Sequence, residues 1–173
     1  MKTLVIMGSS RSDGDTMRVV KTVLGDASAE IIKLNEKKIS PYDYAHKNTE
    51  DDFQDIAQKM VEADNIIFAT PVYWYSMSAQ LKAFFDRFTD LITIRKDLGR
   101  KLKGKKCYVI SCGSDVKLPP GFENPFSATC AYLDMEYKGC FYYYTGKADN
   151  DFKKTALKKA SEEATNFGRI IFG

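Results

Sequence analysis

The chain holds one histidine, His46, one tryptophan, Trp74, and four cysteines in 173 residues. No two cysteines stand at C-x-x-C spacing, so ligands for a structural zinc or an iron–sulfur cluster are lacking. So few cysteines in a chain this long do not form a disulfide framework either. No Ser-His-Asp set or paired-carboxylate signature is present. Long apolar runs are also missing, and nothing approaches the roughly 20 residues that cross a bilayer. The first apolar segment, Leu4 to Met7, stops at Gly8 and is too short for a signal peptide, which predicts a cytoplasmic protein with no membrane partner. Charge of one sign is scarce: the formal net charge is +3, and the one dense basic run, Lys101, Lys103, Lys105 and Lys106, reads as a solvated loop rather than a nucleic-acid footprint.

The familiar phosphate motifs are absent as well. There is no G-x-x-x-x-G-K-[ST] and no G-x-G-x-x-G after the first apolar segment, which excludes a P-loop and the dinucleotide fingerprint. The first loop has no cysteine for a phosphatase nucleophile, and no acidic residue ends the first strand as a receiver domain would need.

What is present is alternation. Hydrophobic residues make up 44% and charged residues 28%, the balance of one soluble domain, here 1–173. Lys2 to Met7, Ala29 to Leu34, Asn65 to Thr70, Lys106 to Ser111 and Tyr137 to Thr145 read as strands. Helices are expected over Asp15 to Leu24, from a Thr49-x-x-Asp52 capping box through Met60, over Met77 to Ile92 as one apolar stripe, over Asn124 to Met135 with Asn124 as cap, and over Asp149 to Ile171. Ile66, Ile67 and Phe68 in succession suit a parallel strand covered on both faces. Five β-α units predict an α/β fold with a doubly wound, five-stranded parallel sheet in the order 2-1-3-4-5. Ligands of such sheets bind at the carboxyl ends of the strands, so the loops after Met7, Thr70 and Ser111 are the ones to inspect.

The first loop, Gly8 to Thr16, is rich in glycine and hydroxyls and enters a helix. Its amides, the helix dipole, the hydroxyls of Ser9, Ser10, Ser12 and Thr16, and the Arg11 guanidinium would attract a phosphate. The alternative is an ordinary polar turn with Asp15 as cap. The second loop places Tyr73, Trp74 and Tyr75 at the mouth of the sheet, an apolar wall for a flat heteroaromatic ring. The third, Ser111-Cys112-Gly113-Ser114-Asp115, has small residues that let backbone approach such a ring. Cys112 either faces the ligand or is a small packing residue. Val116 to Phe126, with Pro119, Pro120 and Gly121, is a long excursion that reads as a lid.

Gly8-Ser9-Ser10-Arg11 with Gly14-Asp15-Thr16, the block from Thr70 to Arg87 with its P-x-Y-x-x-x-M-x-A-x-L-K-x-F-x-D-R pattern, and the Cys112-Gly113-Ser114 turn together resemble the NAD(P)H-dependent FMN reductase group of flavodoxin-like proteins, which includes quinone and azo reductases. The resemblance implies that Ser9, Arg11 and Thr16 hold an FMN phosphate. It implies that Pro71, Val72, Tyr73, Trp74, Tyr75 and Ser76 line the isoalloxazine, and that Ser111, Gly113 and Ser114 close its other edge. It also implies NADH or NADPH as co-substrate, a quinone, nitro, azo or similar acceptor, ping-pong turnover, and a homodimer. No side chain is expected to be catalytic, because the flavin carries the chemistry. Asp15 departs from the Asn or Ser of many relatives, and Ser76 and Ser78 replace an expected Gly and Pro. Some relatives carry a cysteine cluster after the second strand, whereas Ile39 to His46 has none. Two rival readings keep the fold: a flavodoxin-type electron carrier, disfavoured by the slightly basic charge and by Arg11, and a flavin-free module, disfavoured by the intact aromatic loop.

Overall fold

A computed structural model describes residues 1–173. Its five strands are β1 (Thr3–Met7), β2 (Glu30–Lys33), β3 (Asn65–Pro71), β4 (Lys106–Gly113) and β5 (Glu136–Tyr144). They form one sheet in the order β2-β1-β3-β4-β5, every pair parallel. β1 and β3 are buried at every position, because helices cover both faces and exposed polar alternation has no place there. The strand order is the one the β-α alternation predicts. β5 gains a residue relative to β4 between Cys107 and Val109, a bulge near Gly139.

One face of the sheet packs on α1 (Asp15–Leu24) and α7 (Asp151–Phe172). The other packs on α2 (Phe53–Glu62), α3 (Ala79–Asp86), α4 (Phe88–Ile92), α5 (Lys96–Gly99) and α6 (Asn124–Tyr132). The apolar stripe of α2 is buried as its spacing predicts, at Phe53, Ile56, Ala57 and Met60. Phe68 of β3 meets Phe85 edge-on with ring centroids 4.8 Å apart, and Phe85 also contacts Phe88 and Phe126. This aromatic cluster fixes α3 and α6 against the strand that carries the second loop.

Five local expectations are corrected. The helix expected over Met77 to Ile92 is two helices, α3 and α4. At Arg87 the chain tightens to a three-residue turn, with the Asp90 amide donating to the Arg87 carbonyl at 2.9 Å, and this lets the two side chains pair. The Thr49-Asp52 capping box does not form. Asp52 precedes α2 without a side-chain cap; its carboxylate accepts from the Lys38 amide, and Asp51 accepts from the Phe53 amide. Gly14, not Asp15, is the cap position of α1. Asn124 is the first residue of α6 rather than its cap, and α7 starts at Asp151, with Asn150 accepting from the Lys153 amide. Propensity places these helices, but their exact ends follow local turn geometry and, at Asp52, a partner 14 residues away.

Val116 to Phe126, the expected lid, is in contact with the core. Phe122 is buried in the core, Leu118 packs against it, and the Phe122 amide donates to the Pro119 carbonyl. None of the seven helices is long and apolar enough to cross a membrane.

Candidate functional site

Pairing register brings three loops to one edge of the sheet. Met7 is level with Ala69, Pro71 with Cys112, and Gly113 with Tyr144. Beyond these ends lies a cavity of about 120 Å³ lined by Ser9, Arg11, Asp15, Thr16, Pro71, Val72, Tyr73, Cys112, Gly113 and Thr145. Nine of these ten are sequence-predicted, from all three loops. Thr145 is the one missed, and its position directly after β5 was the available signal.

The first loop begins with a close approach. The Gly8 amide donates to the Ala69 carbonyl at 2.8 Å, and the Ser78 hydroxyl, capping α3, donates to the Gly8 carbonyl. A Cβ on Gly8 would lie 2.6 Å from the Leu81 Cβ, so only glycine lets this loop rest on α3. Ser9 and Thr16 are buried, and the Ser9 oxygen accepts from the Arg11 amide at 3.3 Å. The Arg11 side chain lies against Gly14, where a Cβ would come within 3.1 Å of Nε. The amino end of α1 has no side-chain cap, so its first amides stay available to an anion. Asp15 lines the cavity, and its carboxylate is paired with Arg18 at 2.8 Å, which offsets its repulsion of a phosphate.

The second loop is a two-residue hairpin. Tyr73 and Ser76 exchange amide–carbonyl hydrogen bonds of 2.9 and 3.1 Å, and Trp74 and Tyr75 between them have φ of 48° and 65°. This is the type I′ turn that normally takes Asn-Gly. Two aromatic residues are held there in left-handed conformations, at about 1–2 kcal/mol each. The turn is anchored at its base, where the Val72 amide donates to the Cys112 carbonyl and the Ser78 amide to the Thr70 hydroxyl. Its tip is free: Trp74 is 92% and Tyr75 67% exposed, and with exposed Ser76 they stand clear of the cavity that Tyr73 lines.

The third loop supplies a floor. A Cβ on Gly113 would lie 2.8 Å from the Tyr142 hydroxyl and 3.4 Å from the Val72 Cβ. Burial raises the Cys112 thiol above its ordinary pKa, against a weaker opposing hydrogen bond from Thr16, so it is a neutral thiol at neutral pH. Ser111 is fully buried and its hydroxyl has no partner, while Ser114 and Ser10 are exposed beyond the cavity lining. A larger groove of about 680 Å³ runs along β5 and α7. Its lining is chiefly apolar and includes neither the open end of α1 nor Arg11, so the smaller cavity is the one built for an anionic ligand.

The residues present fit a flavin mononucleotide. A buried pair of hydroxyls, a guanidinium and an uncapped helix end converge in a space of phosphate size, beside an open aromatic wall and a glycine floor crowded by the Tyr142 hydroxyl.

Comparison with known proteins agrees. A family model described as NADPH-dependent FMN reductase matches residues 1–119. The putative NAD(P)H-dependent FMN-containing oxidoreductase YwqN of Bacillus subtilis is 31% identical over 153 residues, 80% of this chain and 82% of YwqN. The structure of the Trp repressor binding protein from Bacillus subtilis superposes with a TM-score of 0.71 at 26% identity, over 93% of this chain and 96% of that one. An FMN-dependent NADH-azoreductase from Bacillus anthracis in complex with FMN superposes over 100% of both chains with a TM-score of 0.73, and at 16% identity it supports the fold. The chain therefore belongs to the NADPH-dependent FMN reductase family of NAD(P)H-dependent flavin oxidoreductases, on a flavodoxin-like fold.

Proposed function

We propose that residues 1–173 form one domain that binds FMN at the strand-end cavity and transfers electrons from NADH or NADPH to a quinone, nitro, azo or similar small acceptor, the two substrates using the site in turn. One observation carries this reading: the open end of α1, Arg11 and the buried hydroxyls of Ser9 and Thr16 meet in one cavity beside the aromatic hairpin. FMN, when bound, supplies the chemistry, accepting hydride from the nicotinamide and releasing electrons to the acceptor.

The chain's own residues bind, orient and exclude water. Arg11, Ser9, Thr16 and the first amides of α1 take the phosphate. A cavity of about 120 Å³ accommodates the phosphate end of the ligand, so the ring lies at the open mouth. There Pro71, Val72 and Tyr73 form its wall, and Trp74, Tyr75 and Ser76 extend that wall outward. Cys112, Gly113 and Thr145 form the floor. Ser10, Ser111 and Ser114 support this lining from outside the cavity. Amides of the second and third loops stabilise negative charge on the ring edge by the logic of an oxyanion hole. Tyr73 and Tyr75 serve as wall and not as proton donors.

The exposed Trp74 and Tyr75 support a second copy closing over this mouth, in a homodimer. Four cysteines, none in a disulfide, support a cytoplasmic location.

The test is FMN affinity in Arg11→Ala and Thr16→Ala. Each removes a hydrogen bond to a charged group, so the dissociation constant should rise about 10–100-fold. Unchanged affinity would place the phosphate elsewhere.

A further inference from the structure

The hydroxyls of the first loop divide into two sets. Ser9 and Thr16 are buried at the cavity, whereas Ser12 is turned to a different partner. The Ser12 hydroxyl donates to the Glu36 carboxylate at 2.6 Å and accepts from the Asn35 amide nitrogen at 2.9 Å. Asn35 also reaches the Ser10 carbonyl at 3.5 Å, and Lys33 holds Glu36 from below at 3.2 Å. Across the loop, the Gln80 side chain donates to the Ser10 hydroxyl at 2.9 Å. Ser10 to Ser12 is thus gripped from two sides, by the turn after β2 and by α3, with the arginine that faces the cavity between the two grips.

We propose that Asn35 and Glu36 are positioning residues for FMN. They fix the first loop through Ser12, so that Arg11 and the loop amides are already in place when the phosphate arrives. This deepens the proposed function and rests on the first loop being the phosphate site. Ser12 then contributes no bond to the phosphate, because its proton is committed to Glu36. Glu36 is a negative charge beside an anion site, which is unfavourable to the ligand by itself. Its contribution is preorganisation: an ordered loop loses less conformational freedom on binding than a mobile one. The Ser12 hydrogen bond, followed by that from Lys33, lowers the Glu36 pKa, so the brace is ionised at neutral pH.

The experiment compares FMN with riboflavin, which shares the ring and ribityl chain and lacks the phosphate. Dissociation constants for both are measured on the wild type, Glu36→Ala, Glu36→Gln, Ser12→Ala and the double variant Ser12→Ala/Glu36→Ala. The wild type should prefer FMN. Glu36→Ala should reduce that preference about tenfold with riboflavin binding held, and Glu36→Gln, which keeps an acceptor for Ser12 without the charge, should restore it. Ser12→Ala, which also removes the Asn35 contact, should lose at least as much as Glu36→Ala, and the double variant should match Ser12→Ala, since Glu36 acts only through Ser12. Additive losses from Ser12 and Glu36, or a preference untouched by Glu36→Ala, would overturn the brace while leaving FMN binding intact. A loss of both ligands in parallel would make Glu36 merely structural and overturn it too. A wild type with no preference for FMN would contradict the phosphate site itself, and the brace with it.

Discussion

Arg87 is the most constrained charge in the molecule. Its side chain is 1% exposed, pairs with Asp51 and with Asp90, donates to the Ser40 and Asn48 carbonyls, and lies over the Phe53 ring. His46 closes the set, with Nδ1 2.9 Å from the second Asp90 oxygen. One guanidinium thereby holds the irregular segment between β2 and α2 against α3 and α4. Arg87→Ala leaves two buried carboxylates without their cation, and should cost about 3–5 kcal/mol in chemical denaturation. A loss below about 1 kcal/mol would show that water replaces it. The same cluster sets acid sensitivity. Burial works against the Asp51 carboxylate, but hydrogen bonds from Arg87, Ser40 and Phe53 outweigh it and hold the pKa below the usual 3.8. A carboxylate lowered in the folded state stabilises above its unfolded pKa and loses that contribution as pH falls through the folded one. Stability should therefore be flat in this contribution near neutrality and fall below about pH 4. In Asp51→Asn the acid slope should be shallower, measured by denaturant midpoints across pH.

At the scale of the element, the second loop stores strain where the site is. Trp74 and Tyr75 occupy positions that favour Asn and Gly, and their side chains bury little in return. Replacing the pair with Asn-Gly should raise stability by about 1–3 kcal/mol and at the same time weaken flavin binding. A neutral effect on both would mean that the turn relaxes and that the aromatic tip has no part in the site. The sequence marked this loop clearly, since three aromatics between a strand and a helix have no packing explanation. It did not show the turn type, because Trp-Tyr carries no signature of left-handed geometry. The break of the long helix at Arg87 was hidden for a related reason. The apolar stripe from Leu81 to Leu91 runs straight through it, and the tightened turn goes with the pairing of Arg87 to Asp90 and to Asp51, more than 30 residues earlier.

At the scale of the whole molecule, the sheet was legible because parallel strands buried on both faces are written as apolar runs, as at Ile66 to Phe68. Right-handed crossovers then leave one arrangement that places the three loops together. What stayed hidden was contact between distant loops. Ser12 turns from the phosphate to Glu36 with no local signal, and Thr145 joins the cavity through the register of β5, marked in the sequence only by its place after that strand. The reading of this edge of the sheet as an FMN site that works with a nicotinamide is open to direct test. Trp74, the lone tryptophan, reports on it from the mouth, and a ligand at 100 times its dissociation constant stabilises the fold by about 2.7 kcal/mol. The most direct measurement is an anaerobic titration of the flavin-free protein with FMN, followed by visible absorbance and tryptophan fluorescence, and then by addition of NADPH or NADH. One FMN per chain, quenching of Trp74, and bleaching of the yellow absorbance by a nicotinamide are expected. A protein that takes up no FMN, or that binds it and stays yellow with both nicotinamides, would contradict that reading.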